Sequence, residues 1–234
     1  MSEQKLGVLG GMGPQATQVF YQFVLDRTDA ARDQEHLPTV ILSDTGMPDR
    51  TKAILSGETG ELYARLLKDA RLLETCGCTA IAVPCNTSHY FVDQLQTEVN
   101  VPIIHMIREA AAVLATQGKK RPGILATEGT IRSGLYQKEC AALGMEAYAP
   151  DEETQKLVTS IIYDEIKQGE KGSRDKFAHI DKALRKAGCD CAILACTELS
   201  VFATYHPLPP YYLDAMMVLA EQSVTRCGYP LRTI

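Results

Sequence analysis

No stretch of this 234-residue chain is long and apolar enough to form a membrane-spanning helix. A basic stripe is missing too. The formal net charge is −5 and the sequence pI is about 5.6. The run Lys119-Lys120-Arg121 reads as a solvated loop, so neither nucleic acid nor a membrane is expected as a partner. Eight cysteines are present, but none stands in C-x-x-C spacing. Cys76-Gly77-Cys78 and Cys189-Asp190-Cys191 are one residue apart, and His36, His105, His179 and His206 match no metal pattern. No metal is expected. Met1-Ser2-Glu3-Gln4-Lys5 runs straight into an apolar segment, which predicts no signal peptide and a cytoplasmic setting. Thiols stay reduced there, so Cys76, Cys78, Cys140, Cys189, Cys191 and Cys227 are expected to pack as small hydrophobes near helix–strand junctions. No low-complexity linker divides the chain.

What is present is ordinary for a globular protein: 45% hydrophobic and 23% charged residues, with length enough for one large domain or two small ones. Short apolar runs alternate with helical spacing throughout. Residues 5–10 read as a strand, and Pro14 can open the following helix, where its missing N–H does no harm. Strands follow at 39–43, 80–83 and 101–105, with helices at 60–75 and 108–117. The order then restarts. Gly123-Ile124-Leu125-Ala126-Thr127-Glu128-Gly129-Thr130 echoes Gly7-Val8-Leu9-Gly10-Gly11-Met12-Gly13-Pro14, and Pro210-Tyr211-Tyr212-Leu213 resembles Pro102-Ile103-Ile104-His105. Helices are expected at 133–143, 152–168, 173–187 and 215–226. Matched landmarks in one order indicate a duplicated unit, and strands with almost no polar alternation suit a parallel sheet covered on both faces. The expectation is an α/β fold of two pseudo-symmetric, doubly wound lobes with a cleft between them. Residues 1–105 form the first lobe, 106–212 the second, and the last helix, within 213–234, packs back on the first.

The strongest chemical signal is a cysteine that occurs twice in one setting. Residues 77–87 read Gly-Cys-Thr-Ala-Ile-Ala-Val-Pro-Cys-Asn-Thr, and residues 188–198 read Gly-Cys-Asp-Cys-Ala-Ile-Leu-Ala-Cys-Thr-Glu. Cys85 and Cys196 each end a short apolar strand and are followed by small polar residues. Open α/β sheets hold ligands at the carboxyl ends of strands. Two buried structural cysteines would explain either alone; the matched pair points to chemistry needing a thiol on both sides of a substrate. A thiol at a helix N-terminus is expected to ionise more easily. Asn86, Thr87 and Thr197 can hydrogen-bond a small polar ligand. His89 could pair with Cys85 as in thiol hydrolases, cap, or pack, and its role stays open. Gly11-x-Gly13-x-x-Ala16 fits a relaxed dinucleotide fingerprint, but no acidic residue stands at the right distance, Asp44 being late. As an anion site at a helix start, the loop would offer backbone N–H groups around Met12 and Gly13; a plain tight turn is the alternative. Met47-Pro48-Asp49-Arg50-Thr51 reads as a polar loop whose Arg50 could clamp a carboxylate. By pattern alone Arg50 could equally be an ordinary loop arginine, and Lys167 a surface lysine.

Gly-Gly-Met-Gly-Pro at 10–14, Pro-Asp-Arg-Thr at 48–51, Pro-Cys-Asn-Thr-x-His at 84–89 and Cys-Thr-Glu-Leu at 196–199 together resemble the aspartate/glutamate racemase family. The resemblance spans nearly the whole chain. It implies a cofactor-independent amino-acid racemase, usually a homodimer, with a small amino acid as substrate. Cys85 and Cys196 would be the acid/base pair, with Asp49 and Glu198 as auxiliary groups beside them. Arg50 and Lys167 would hold substrate carboxylates, and Thr130 would face the cleft. One departure stands out: many members follow the last strand with Asp, two hydroxyl residues and then a histidine, whereas here Asp214 precedes Ala215, Met216, Met217, Val218 and Leu219. A broader-specificity amino-acid racemase, a hydantoin racemase or maleate-type isomerase, and a two-lobed amino-acid binding protein remain the alternatives.

Overall fold

A computed structural model describes residues 4–233; Met1, Ser2 and Glu3 of the expected leaderless start lie outside the described residues. The chain divides into two compact units. One runs through Met106 and resumes at Met216; the other is Ile107–Ala215.

The first unit is built from β1 (Leu6–Gly10), α1 (Pro14–Arg27), β2 (Thr39–Ser43), α2 (Arg50–Ser56), α3 (Gly60–Thr75), β3 (Ala80–Ala82), α4 (Val92–Gln96) and β4 (Ile103–Ile104). Its four strands are parallel in the order β2-β1-β3-β4, with Leu6 beside both Thr39 and Ala80 and Ile81 beside Ile103. All five residues of β1 are buried, as continuous apolar strands in a covered parallel sheet should be. Leu62, Leu66 and Leu73 of α3 pack with Ile81 and Ile103 of the sheet in one core cluster. From β1 the chain goes to β2 on one side and, after α2 and α3, to β3 on the other. The loops leaving β1 and β3 therefore diverge at their carboxyl ends, which creates the crevice that open α/β sheets use for ligands.

The second unit contains α5 (Met106–Thr116), which starts at the boundary, then β5 (Pro122–Leu125), α6 (Glu128–Ser133), α7 (Leu135–Ala142), α8 (Glu152–Ser160), α9 (Arg174–Lys186), β6 (Cys191–Leu194), α10 (Thr197–Tyr205) and β7 (Tyr212–Asp214). Its strands are also parallel, in the order β5-β6-β7. Tyr148 bridges Gly123 in parallel on the free side of β5, where β2 stands in the first unit. The echoed sequence landmarks thus occupy matching places: β1 and β5, β3 and β6, β4 and β7.

The final helix, α11 (Ala215–Arg226), returns the chain to the first unit. Arg27 at the end of α1 pairs with Glu221 at 2.5 Å, and Thr28 bridges Leu231 in antiparallel fashion.

Two helices expected in the second unit are broken. Residues 133–143, read as one helix, belong to α6 and α7, which meet at Gly134 in a left-handed conformation (φ 67°). Residues 152–168 are α8, a π turn over Ile161–Glu165 and a 3-10 turn over Ile166–Gln168, stopped by Gly169. The Glu165 carboxylate turns inward there, accepting from the Ser173 N–H at 2.6 Å and from the Lys176 ammonium at 2.5 Å. Among the six cysteines expected to pack as hydrophobes, Cys76 is exposed and the other five are buried.

Candidate active site

In the first unit the glycine loop is shaped from within. Gly11 adopts φ 89°, and a Cβ there would lie 2.5 Å from the Asp44 backbone, so only glycine fits. The Gly11 N–H donates to Thr17 Oγ1 at 2.9 Å, and that hydroxyl donates to the Gly13 carbonyl at 3.0 Å. Gly11 therefore spends its amide inside the loop rather than on an anion. Asp44, too late for a ribose, is bound by Arg65 at 2.9 and 3.0 Å.

Cys85 leaves β3 through a tight turn, its N–H donating to the Val83 carbonyl at 2.7 Å. A 3-10 turn over Thr87–Phe91 follows. His89 secures this turn. Its Nε2 accepts from the Met106 N–H at 3.0 Å, and its Nδ1 lies 2.9 Å from the Cys85 carbonyl. A backbone N–H can only donate, and a carbonyl can only accept. The imidazole is thus neutral, with its proton on Nδ1. Both ring nitrogens serve the backbone, which gives His89 a positioning role. Ser88 donates to Met12 Sδ at 3.3 Å, and Met12, Met47, Ala53 and Cys85 share one buried cluster. The glycine loop, the start of α2 and the cysteine turn are thereby brought together.

The expected polar loop at 47–51 ends earlier than predicted, because Arg50 and Thr51 already belong to α2. Asp49 is the N-cap, its Oδ1 accepting from the Lys52 N–H at 2.7 Å, a standard way to satisfy a free helix donor. Arg50 Nη1 donates to the carbonyls of Pro48 at 2.9 Å and Met47 at 3.4 Å. The guanidinium is anchored to its own turn by one nitrogen.

In the second unit Cys196 is the N-cap residue of α10, immediately beyond β6. Cys196, Thr197 and Glu198 are all buried. The Cys196 thiol donates to Glu198 Oε2 at 2.9 Å, and the Thr197 hydroxyl reaches the same oxygen at 3.4 Å. Burial first, and then the adjacent Glu198 charge, push the Cys196 thiol well above its ordinary value; Lys167 pulls the other way. This corrects the expectation of an easily ionised thiol at a helix start, because desolvation and a carboxylate outweigh the helix dipole. Lys167 is exposed, with its ammonium 4.1 Å from the centre of the Tyr163 ring. Its charge nonetheless reaches the thiol, which pattern alone did not anticipate. Thr130 is buried in the first turn of α6, where its N–H donates to the Thr127 hydroxyl at 3.3 Å. This is the turn that matches the glycine loop of the first unit.

Two further neighbours were not singled out as site residues in the sequence. Tyr136 is fully buried in α7, its phenol pushed well above its usual value by burial and by Cys140, Asp214 and Cys196. Asp214, at the end of β7, accepts from Ser200 of α10 at 2.7 Å. Among the described residues, no group of three or more His, Cys, Asp or Glu side chains is arranged to hold a metal ion.

Each unit thus carries one buried cysteine beyond a parallel strand that is paired on both sides, with small polar residues next to it in the chain. The family model for Asp/Glu/hydantoin racemases matches residues 9–222. The broad specificity amino-acid racemase RacX of Bacillus subtilis (strain 168) is 28% identical over 226 residues, covering 94% of this chain and 96% of that protein. The glutamate racemase of Geobacter metallireducens is 32% identical over 172 residues, which take in 68% of this chain and 58% of that one. The solved Picrophilus torridus aspartate racemase superposes with a TM-score of 0.81 at 27% identity, covering 98% and 96% of the two chains. A match from the first strand into the last helix, in sequence and in fold, establishes that this chain belongs to the Asp/Glu/hydantoin racemase family and is an isomerase of the racemase type.

Proposed function

We propose that the enzyme interconverts the L and D forms of aspartate and/or glutamate without a cofactor, with Cys85 and Cys196 as the acid/base pair. Racemisation removes the α-proton from one face and returns a proton to the other. A single base would have to travel between faces; two thiols need not. One acts as thiolate and the other as thiol, and the roles exchange for the enantiomer. The observation that carries this reading is the equivalence of the two cysteines, each beyond the matching strand, β3 or β6, of its own unit.

The Cys196–Glu198 hydrogen bond supports a division of labour. Cys196 rests as a thiol, ready to deliver a proton, and when it must act as base Glu198 receives its proton. Asp49 is the corresponding carboxylate of the first unit. Arg50 and Lys167 hold the substrate carboxylates. Met12, Gly13, Asn86, Thr87, Thr130 and Thr197 supply fixed polar contacts to the bound amino acid, which stabilise charge developing at the α-carbon. Family resemblance and cysteine usage support a homodimer working in the cytoplasm.

A second reading is a broader amino-acid substrate range. The near full-length similarity to the Bacillus broad-specificity racemase favours it, as does the apolar run Ala215–Leu219, in which Ala215, Met216 and Leu219 are fully buried. A panel of L-amino acids in heavy water, followed by NMR, separates the two substrate readings.

The same experiment tests the thiol pair. First-formed D-product should carry deuterium at the α-carbon while the remaining L-substrate stays protiated. Protium retained in the first product would overturn the opposed-thiol mechanism. Cys85→Ser and Cys196→Ser should each lower turnover roughly 10²–10⁴-fold with the fold intact by circular dichroism. Turnover near wild type in either variant would also reject it.

A further inference from the structure

We propose that the second unit carries another ligand site, separate from its thiol, that takes a small aromatic carboxylate. A cavity of about 400 Å³ lies between α9, the carboxyl end of α10 and the turn Pro207–Pro209. That volume is within the usual range for small-molecule sites.

The cavity has an aromatic wall. Phe177 and Phe202 stack with centroids 4.7 Å apart. His206 leans on Phe202 at 4.6 Å and Tyr212 on Phe177 at 5.2 Å. The His206 ring is held by the Gly172 carbonyl, 3.1 Å from Nε2, and the two prolines stiffen the adjoining turn.

The charges around the wall are unequally matched. Asp181 is already bound twice, by Arg185 at 2.8 Å and by the Tyr212 hydroxyl at 2.5 Å. Arg174, at the start of α9, also lines the cavity. No ion pair or hydrogen bond engages its side chain among the described residues. One positive charge is therefore left over beside these rings. An inorganic anion would leave the rings unused, and a neutral apolar molecule would leave Arg174 unused. A planar ring bearing a carboxylate matches both.

This site is not the thiol site. None of Thr130, Lys167, Cys196, Thr197 and Glu198 lines the cavity. Cys196 caps the opposite end of α10, about 13 Å away along a nine-residue helix.

Indole-3-acetate is a suitable probe. The chain contains no tryptophan, so indole fluorescence reports the probe alone. Its anisotropy should rise saturably with added protein. Binding should weaken about tenfold in Arg174→Gln, and equally when the neutral indole-3-acetamide replaces the acid, as expected for loss of one partly exposed charge-assisted contact. Ala178→Phe, an exposed helix position on the cavity rim, should block binding by filling the space. Cys196→Ser should leave it unchanged. Absence of saturable binding up to millimolar protein, insensitivity to Arg174→Gln, or loss of binding in Cys196→Ser would each overturn the proposal. Binding is read directly, so the result stands apart from the racemisation mechanism.

Discussion

Cys196 shows why residue type and position do not by themselves fix reactivity. Cys196 stands at the start of a helix, yet its burial and the Glu198 carboxylate 2.9 Å away hold the thiol protonated. Removing that negative charge removes one of the causes that raise it. Glu198→Gln should therefore shift Cys196 ionisation to lower pH, read as thiolate absorbance against a Glu198→Gln/Cys196→Ser background. It should also lower kcat/KM by about 10²-fold, because the group that receives the thiol proton is gone. The loss should be equal in both directions, since free L and D substrates have the same energy. An unchanged thiol titration would remove Glu198 from the mechanism. His89 is the opposite case. Its catalytic-looking spacing from Cys85 ends in two backbone hydrogen bonds. His89→Phe leaves both buried backbone groups without that partner, at about 1–3 kcal/mol each. Urea unfolding should register a loss of that size; a change below about 0.5 kcal/mol would contradict the positioning role.

The clearest element-level feature is the junction of β1 and α1. Pro14 opens the helix as the sequence predicts, but no side chain caps it at Gly13. The work falls to Thr17, one turn inside, which holds the Gly11 N–H and the Gly13 carbonyl together. Thr17→Val keeps the shape and removes the hydroxyl. It should cost about 1–3 kcal/mol in stability through the stranded buried donor, measurable by urea denaturation. No measurable loss would mean that the loop is held by Gly11 and its neighbours alone. The second unit closes its equivalent turn differently. Thr127 caps α6 directly through the Thr130 N–H, so the duplicated sequence preserved the place of the turn but not its hydrogen bonds.

Across the whole molecule, burial of thiols links stability to pH. Burial raises Cys140 to about 11, Cys191 to about 12 and Cys227 to about 11, from an ordinary 9.0. The fold therefore favours the protonated thiols. An unfolded chain releases those protons near 9, so unfolding gains as pH rises past that point. Their contribution is fully present below pH 9.0 and is lost as pH climbs toward about 11–12. The urea midpoint should fall between about pH 8 and about pH 10, and Cys140→Ala/Cys191→Ala should flatten that fall. A midpoint independent of pH over this interval would show that these thiols ionise alike in folded and unfolded chains.

Much of this protein was legible in its sequence because the signals are local and repeated. Continuous apolar strands announced covered parallel sheets, and the recurring landmarks identified equivalent strands. The twin cysteines marked the carboxyl ends that a parallel sheet devotes to ligands. Helix ends and hydrogen-bond partners were less accessible. The break at Gly134, the π turn before Lys167 and the helical start at Arg50 depend on which backbone groups find partners after packing, and periodicity carries no such information. His89 could be base, cap or packing residue until the fold brought Met106 N–H to one ring nitrogen and the Cys85 carbonyl to the other. Cys196 could be thiol or thiolate until its burial was known. Residue order sets which chemical groups are present and roughly where they fall along strands and helices. Protonation and pairing follow from desolvation and from contacts between distant segments, and those come into being only when the chain has folded.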